Sequence, residues 1–455
     1  VVSTGPRKTL FGGSAGRSGA SSSLRRGHRP AKDACENSAG VVVLGGGAAG
    51  LLAAMTAGRR GRPVTVLEKN RELGKKIRIS GGGRCNFTNI SDALRHAYHS
   101  STPSSSSRAP AEDAETGTPG NFFQKAFQKY PPEKFIALVE SHGIKYHEKK
   151  LGQLFCNRSA NSIVDMLQEE CLAAGVRLVT EAEVTSLQTS SGAERFRVLY
   201  RTPREKVPIE AEVAAEAVIV ASGGLSFART CGSTDLAHVV AEDMGLEVTG
   251  VRPGLVPLVV GTEWTRSLTG VSMEVRASIG DMSFVERILF THRGVSGPAV
   301  LQASSFWGEG AFGEGEPLVL DLLPAMEEDA ALSWLSRKAT GDSARRRRQV
   351  PACEELAKRL PRRFAEGFWS HEVGPRLKIR PQAALKDLRP EQLRSLVQLL
   401  KHWEVPVAGT EGYLKAEVTC GGVSTDELSD ETMECKKHPG LYFIGEAVDV
   451  TGWLG

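Results

Sequence analysis

Apolar residues fall in short blocks whose spacing changes along the chain, and the blocks predict alternating strands and helices at both ends with a β-rich stretch between. Val41 to Leu44 form an apolar run that enters Gly45-Gly46-Gly47-Ala48-Ala49-Gly50. An Ala/Leu-rich segment follows, then a second run, Val64 to Leu67, which ends in Glu68. This reads as strand, glycine turn, helix, strand, acid. Pro131-Pro132-Glu133 opens a helix with Phe135, Leu138 and Val139 on one face and Gly143 as its stop. Another helix runs from about Asn161 to Ala174 with Ile163, Met166 and Leu167 inward, and strand-like Val176 to Val179 follows. Val213 to Val220 predict a strand leading into Ala221-Ser222-Gly223-Gly224. From about Arg252 to Asp321 short β segments alternate with glycines, and Ser296 or Gly297 caps a helix that starts at Pro298. Residues 326–403 read as helical, with Leu393, Leu396 and Leu400 on one stripe. The chain then returns to β at Ala416 to Val423 and ends with Gly440 to Asp449 and a short tail.

A chain of 455 residues should hold two or three domains, and 40% hydrophobic with 24% charged residues is a globular composition. No apolar run approaches the roughly 18 residues that span a bilayer, which excludes a helical membrane protein. The net charge of +4 is unevenly placed: residues 1–32 hold seven Lys/Arg and no acid, leaving 50 basic against 53 acidic residues in the remainder. On that balance no nucleic-acid or membrane partner is expected, the partner is a small-molecule substrate, and Arg345 to Arg348 read as a solvated loop. The Arg- and Ser-rich residues 1–40 suit a transit peptide for a plastid or mitochondrion, with a disordered extension of a cytoplasmic protein as the alternative. Residues 100–120 are low-complexity and expected to be disordered. Eight cysteines include no CxxC pair, so neither a metal site nor a dithiol centre is expected.

The glycine turn carries the first chemistry. Gly45 permits the tight turn, Gly47 lets backbone approach a pyrophosphate, and Gly50 lets helix and strand pack closely; the helix amino terminus then faces the phosphates. Glu68 is placed to accept hydrogen bonds from ribose hydroxyls and would repel a 2′-phosphate, which favours FAD or NAD over NADP. Gly308 to Gly313 match the same glycine spacing without a strand before or a helix after, and are set aside as loop. Gly81-Gly82-Gly83-Arg84-Cys85-Asn86 cannot continue as regular structure at reasonable cost and suit backbone approach to a ligand.

The blocks GGGAAG, GKKIRISGGGRCNFTN, VIVASGG, FTHRGVSGPAVL, AEVTCGGVS and GLYFIGEAVDVTGW stand in the order found in the BaiN-like, or aminoacetone oxidase, family of FAD-binding enzymes, which this chain resembles from Val41 to Gly455. The resemblance implies an α/β fold: a Rossmann-like FAD-binding domain of the glutathione-reductase type (41–251 and 417–455), an inserted β-rich domain (252–325 and 404–416) and a small helical domain (326–403). Gly45, Gly47, Ala48, Ala49 and Gly50 would hold the pyrophosphate, and Glu68 with Lys69 the ribose. Gly81, Gly82, Gly83, Arg84, Cys85 and Asn86 would lie against the flavin, and Val184 would contact adenine through its backbone. Ala221, Gly223 and Gly224 would pack near the pyrophosphate, with Gly445, Glu446 and Asp449 reaching the ribityl and phosphate groups. Two departures stand out. The family's GSTGDGY is shortened to Gly232-Ser233-Thr234-Asp235-Leu236-Ala237, and the chain stops at Gly455 where the family continues with GYNLQ, so this polypeptide is expected to be a fragment that binds FAD poorly.

Near the flavin the catalytic candidates are Arg84, Cys85, Asn86 and His292. Cys85 reads either as a thiol or as a small residue packed under the ring, and His292 either as an acid/base group or as a structural histidine. Cys420 and Gly421 face the substrate or turn a buried strand. Three activities compete: a flavin oxidoreductase, either an oxidase or a reductase fed by NAD(P)H; an NAD-dependent dehydrogenase; and a non-catalytic or RNA-modification-associated flavoprotein, which the acidic body disfavours.

Overall fold

The computed structural model describes residues 38–91, 98–101, 122–203, 209–308, 316–340 and 350–453. The transit-peptide region, most of the 100–120 insertion, most of the discarded Gly308 to Gly313 loop and the Arg345 to Arg348 run lie outside them. Two seven-stranded sheets organise the rest. The first runs Arg177–Val179, Val64–Leu67, Ser38–Leu44, Ile209–Val220, Phe196–Thr202, Glu183–Thr189, and Leu441–Phe443 also pairs with Ile209–Val220. The Arg177, Val64, Ser38, Ile209 and Leu441 strands are parallel, whereas the Glu183–Thr189 and Phe196–Thr202 strands join antiparallel.

Helices cover both faces of the parallel part, which is why its strands are apolar throughout rather than alternating. Val41 and Val43 pack with Leu51, Met55, Ile163 and Met166 of the helices Ala48–Arg59 and Asn161–Ala173. Val42 and Leu44 face the other way, into a core shared with Val218, Val220, Phe443, Ala237 and Val240. The expected elements appear close to their predicted bounds, including Val64–Leu67, Pro132–Ser141 and Pro298–Ser304 with Gly297 before it. The strand expected from Val213 begins four residues earlier, at Ile209, because its polar-alternating start pairs with Phe196–Thr202.

The second sheet is antiparallel: Trp403–Val405, Leu318–Asp321, Ser272–Ile279, Met282–Phe290, Gly294–Ser296, Leu258–Val260, Val407–Thr410. Its inner face and the helices of 328–401 supply one continuous core, in which Phe290, Phe364, Phe368, Trp369 and Trp403 are fully buried. No helix among the described residues is long and apolar enough to cross a membrane.

Candidate cofactor and active site

The carboxyl ends of the parallel strands gather the glycine turns from three distant parts of the chain. Gly45 N–H donates to the Leu67 carbonyl (2.9 Å), Ala221 N–H to Leu44 (2.8 Å) and Ile444 N–H to Val220 (3.1 Å), so the three turns lie side by side. Two glycines are obligatory by contact. A Cβ on Gly45 would sit 2.5 Å from the Ala221 carbonyl oxygen, and one on Gly50 would sit 1.9 Å from the Gly45 oxygen. At Gly47 the reverse holds, because nothing lies within 4 Å of where its Cβ would point. That open space faces the start of the twelve-residue helix Ala48–Arg59, whose first turn has no side-chain cap and no acid. Uncapped N–H groups and the positive end of the helix dipole suit a pyrophosphate there.

Glu68 is buried and its carboxylate ties the glycine turn to the end of its own strand. Gly46 N–H donates to Oε2 (2.7 Å), while the Asn70 N–H (2.8 Å) and side-chain amide (2.7 Å) both donate to Oε1. Carboxylate oxygens together accept about four hydrogen bonds, so one position remains for a ribose hydroxyl. Lys69 is exposed and pairs with Glu183 (3.1 Å). Ala182 N–H donates to the Glu68 carbonyl (2.8 Å), which ties the start of the Glu183–Thr189 strand, with Val184, to the end of the Val64–Leu67 strand.

Glu446 holds a second network that sequence spacing does not reveal. It accepts from Lys76 Nζ (2.6 Å), the Ser226 hydroxyl (2.7 Å) and the Thr419 N–H (2.9 Å), and Lys76 also donates to Ser226 (2.7 Å). Thr419 Oγ1 in turn accepts from the N–H groups of Leu225 (2.8 Å) and Ser226 (3.1 Å), which fixes the Gly223-Gly224 turn against the Val418–Cys420 strand. The Lys76 ammonium lies 3.8 Å from where a Gly223 Cβ would be, which sets a cation beside half-buried turn backbone. The Ser222 hydroxyl in the same turn is buried and has no partner among the described residues. Gly445 lies against Ala49, and buried Asp449 accepts from the Ser100 hydroxyl (2.9 Å). An orphaned hydroxyl, a cradle at Gly47, an uncapped helix and a cation fit a dinucleotide with a charged pyrophosphate, so the residues present suit FAD.

Gly81 and Gly82 take left-handed backbone (φ 57° and 67°) and break the helix that begins at Lys75, as three glycines in a row predict. Arg84 is exposed, and its carbonyl accepts from Cys156 N–H (3.0 Å). Cys85 also holds left-handed backbone (φ 51°) but its thiol is buried. Burial pushes that thiol up despite a hydrogen bond with Ser80, which keeps it protonated and unreactive near neutrality. Half-buried Asn86, with its amide nitrogen turned towards the Thr88 and Leu154 carbonyls, serves the local strand pair. His292 is exposed in the turn between Met282–Phe290 and Gly294–Ser296, and no contact among the described residues links it to the glycine edge.

Cys420 is buried, pairs in register with Arg252, and lies beside Ser305 and Thr451. Sequence reasoning also passed over His99. It pairs with Thr451, lies tilted against Phe306 at 4.4 Å between ring centres, and neither ring nitrogen has a partner among the described residues. Burial, aided by the Arg252 charge, pushes His99 down to about 4, so it is neutral at physiological pH. Among the functional residues missed, only Lys76 carried a signal, since it lies within the GKKIRISGGGRCN block.

Comparison with known proteins agrees with this geometry. The "Ribosomal RNA dihydrouridine synthase" of Escherichia coli K12 is 38% identical over 91% of this chain and 92% of its own length. The protein of the same description from Haemophilus influenzae is 35% identical over 91% and 93%. The "3-dehydro-bile acid delta(4,6)-reductase" of Clostridium scindens is 29% identical over 91% and 94%. The pattern described as HI0933-like protein Rossmann domain matches residues 39–455, and the chain belongs to that family of FAD-dependent oxidoreductases.

Proposed function

We propose that this protein is an FAD-dependent reductase that saturates a conjugated carbon–carbon double bond, with uridine in ribosomal RNA as its substrate. The observation that carries the reading is 38% identity to a ribosomal RNA dihydrouridine synthase across nine-tenths of both chains. Dihydrouridine is uridine with its 5,6-double bond saturated, and a delta(4,6)-reductase likewise removes ring double bonds, so both descriptions denote addition of two hydrogens across C=C. The balanced reaction takes a hydride equivalent from NAD(P)H and a proton from solvent, and yields NAD(P)⁺ and the saturated base. A bound FAD supplies the hydride relay between the two.

The chain's own residues do the placing. Ala48 to Gly50 amides and Lys76 take the pyrophosphate charge, Glu68 takes a ribose hydroxyl, and Glu446 with Ser226 and Thr419 holds the second glycine turn in position. The buried, protonated Cys85 points into the core that includes Ile77 and Cys156 and is assigned no nucleophilic role. This reading departs from the absence of a nucleic-acid partner expected from net charge. A small cyclic enone is the second reading, favoured by the Clostridium relative.

The test is to supply purified holoenzyme with NADH or NADPH and ribosomal RNA, digest the RNA, and measure dihydrouridine by mass spectrometry. Dihydrouridine formation that requires both RNA and nicotinamide is expected. Flavin that is reduced by NAD(P)H without any dihydrouridine appearing would refute the RNA substrate.

A further inference from the structure

The net charge of the chain conceals a cationic face on its helical part. Between Arg376 and Arg394 there are six basic residues, Arg376, Lys378, Arg380, Lys386, Arg389 and Arg394, against two acids, Asp387 and Glu391. All six are exposed. Arg376 pairs with buried Glu372 at 2.7 Å, while the other five make no ion pair with the described residues. An exposed cation left without an acid is free to exchange its counterions for phosphates.

The fold brings part of this charge to one groove. The helix Pro390–Lys401 buries Leu393, Leu396, Val397 and Leu400, and therefore turns Arg394, Gln398 and, one residue past its end, His402 outwards on one stripe. The short helix Gly374–Leu377 lies alongside, where the Leu377 carbonyl accepts from the Gln392 side-chain amide at 3.1 Å. Arg376, Arg394, Gln398 and His402 line a shallow, open depression of about 360 Å³ together with Leu377 and Leu399; Gln398 donates there to Glu328, and His402 lies 3.7 Å from Glu404. Of these four, Arg394 is the side chain with no carboxylate partner among the described residues, so it leads the charge of this depression.

We propose that this face binds the sugar-phosphate backbone of the RNA substrate, and the proposal rests on the ribosomal RNA reading above. Charge complementarity selects a polyanion. Donors strung over one helix, one turn and one short helix suit a flexible single strand more than a compact anion. Contacts of this kind position the substrate without reading its sequence, so uridine choice falls to the flavin site.

The experiment compares holoenzyme with the triple reversal Arg380→Glu, Lys386→Glu, Arg394→Glu, using poly(U) as probe and titrating at several salt concentrations. A single-stranded contact contributes about 0.7 to the slope of log affinity against log salt. Loss of three contacts should lower that slope by about 2, with binding roughly a hundredfold weaker at 0.1 M salt if the two proteins converge at 1 M. Reduction of the flavin by NAD(P)H should be unchanged, since none of the three residues lies on the glycine edge. The neutral triple Arg380→Gln, Lys386→Gln, Arg394→Gln should lose the same slope and serves if the reversal folds poorly. A matched reversal of exposed Arg60, Lys145 and Arg158 in the dinucleotide-binding part should leave the slope within about 0.7, one contact, of wild type.

An unchanged slope in both triples overturns the proposal, as does a loss confined to binding of polyglutamate or phosphatidylserine vesicles. The two readings separate cleanly. A wild-type protein that makes no dihydrouridine, yet loses poly(U) affinity as stated, keeps the surface and removes the reaction. Dihydrouridine formed equally fast by wild type and triples with equal slopes removes the surface and keeps the reaction.

Discussion

The carboxyl edge of the parallel sheet and the core of residues 258–405 are built on opposite terms. At the edge the deciding contacts are backbone on backbone: the Gly45 position faces the Ala221 carbonyl, and the Gly50 position faces the Gly45 carbonyl. One residue type satisfies each, so the fold leaves a readable mark in the sequence. In the second core, Phe364 touches Trp264, Phe290, Phe368 and Trp403 through ring contacts of 5.5–6.2 Å. Volume and shape decide there, and several apolar residues could fill the same space. A region specified by backbone clearance should fail abruptly when altered; one specified by packing should fail by degrees.

The largest effect is expected at Gly50. Gly50→Ala places a methyl 1.9 Å from a carbonyl oxygen that cannot move without breaking the turn. Purified protein should carry no flavin absorbance, and the dinucleotide-binding part should lose native circular dichroism. Gly47→Ala supplies the contrast: its methyl enters open space, so the chain should fold normally and lose only affinity for added FAD, read by flavin fluorescence titration. Equal flavin content in Gly50→Ala and wild type would mean that the close approach is not obligatory.

Phe364→Ala should act by degrees. Emptying a fully buried aromatic site costs about 3–5 kcal/mol, seen as a lower urea midpoint, while the flavin content of the folded fraction stays that of wild type. Loss of flavin in step with stability would show that the two regions do not fail separately.

The same division explains what the sequence disclosed. The Val41 to Glu68 unit, the helix after Pro131 and the strand ending at Val220 carry local signals, namely apolar period, caps and obligatory glycines, and all appear as expected. The Glu183–Thr189 and Phe196–Thr202 hairpin was not legible. Its first strand is half-exposed and polar, and a register shift between Val184 and Ser186 breaks its alternation. The Lys76 to Glu446 contact spans 370 residues, a separation at which no periodicity operates. The cationic face was hidden for a different reason, because a net charge summed over the chain cancels local excess.

His99 tests the seam between the two regions. Its backbone pairs with Thr451, just past the cofactor turn, while its ring lies tilted against Phe306, which packs against the second core. Burial beside Arg252 lowers it from 6.5 to about 4. Between those values the unfolded chain binds a proton that the folded chain refuses, so stability rises with pH across this window. The neutral ring's full stability is present above about 6.5 and is lost as pH falls towards 4, a difference of about 3 kcal/mol. His99→Gln keeps a side chain in the seam without a titrating ring. Urea unfolding of wild type and variant at matched flavin occupancy should therefore diverge in pH dependence between 4 and 6.5, with the variant flatter by about 3 kcal/mol. Parallel curves would mean that water reaches the imidazole, and that the two regions meet more loosely than the pairing at Thr451 and the ring contact with Phe306 imply.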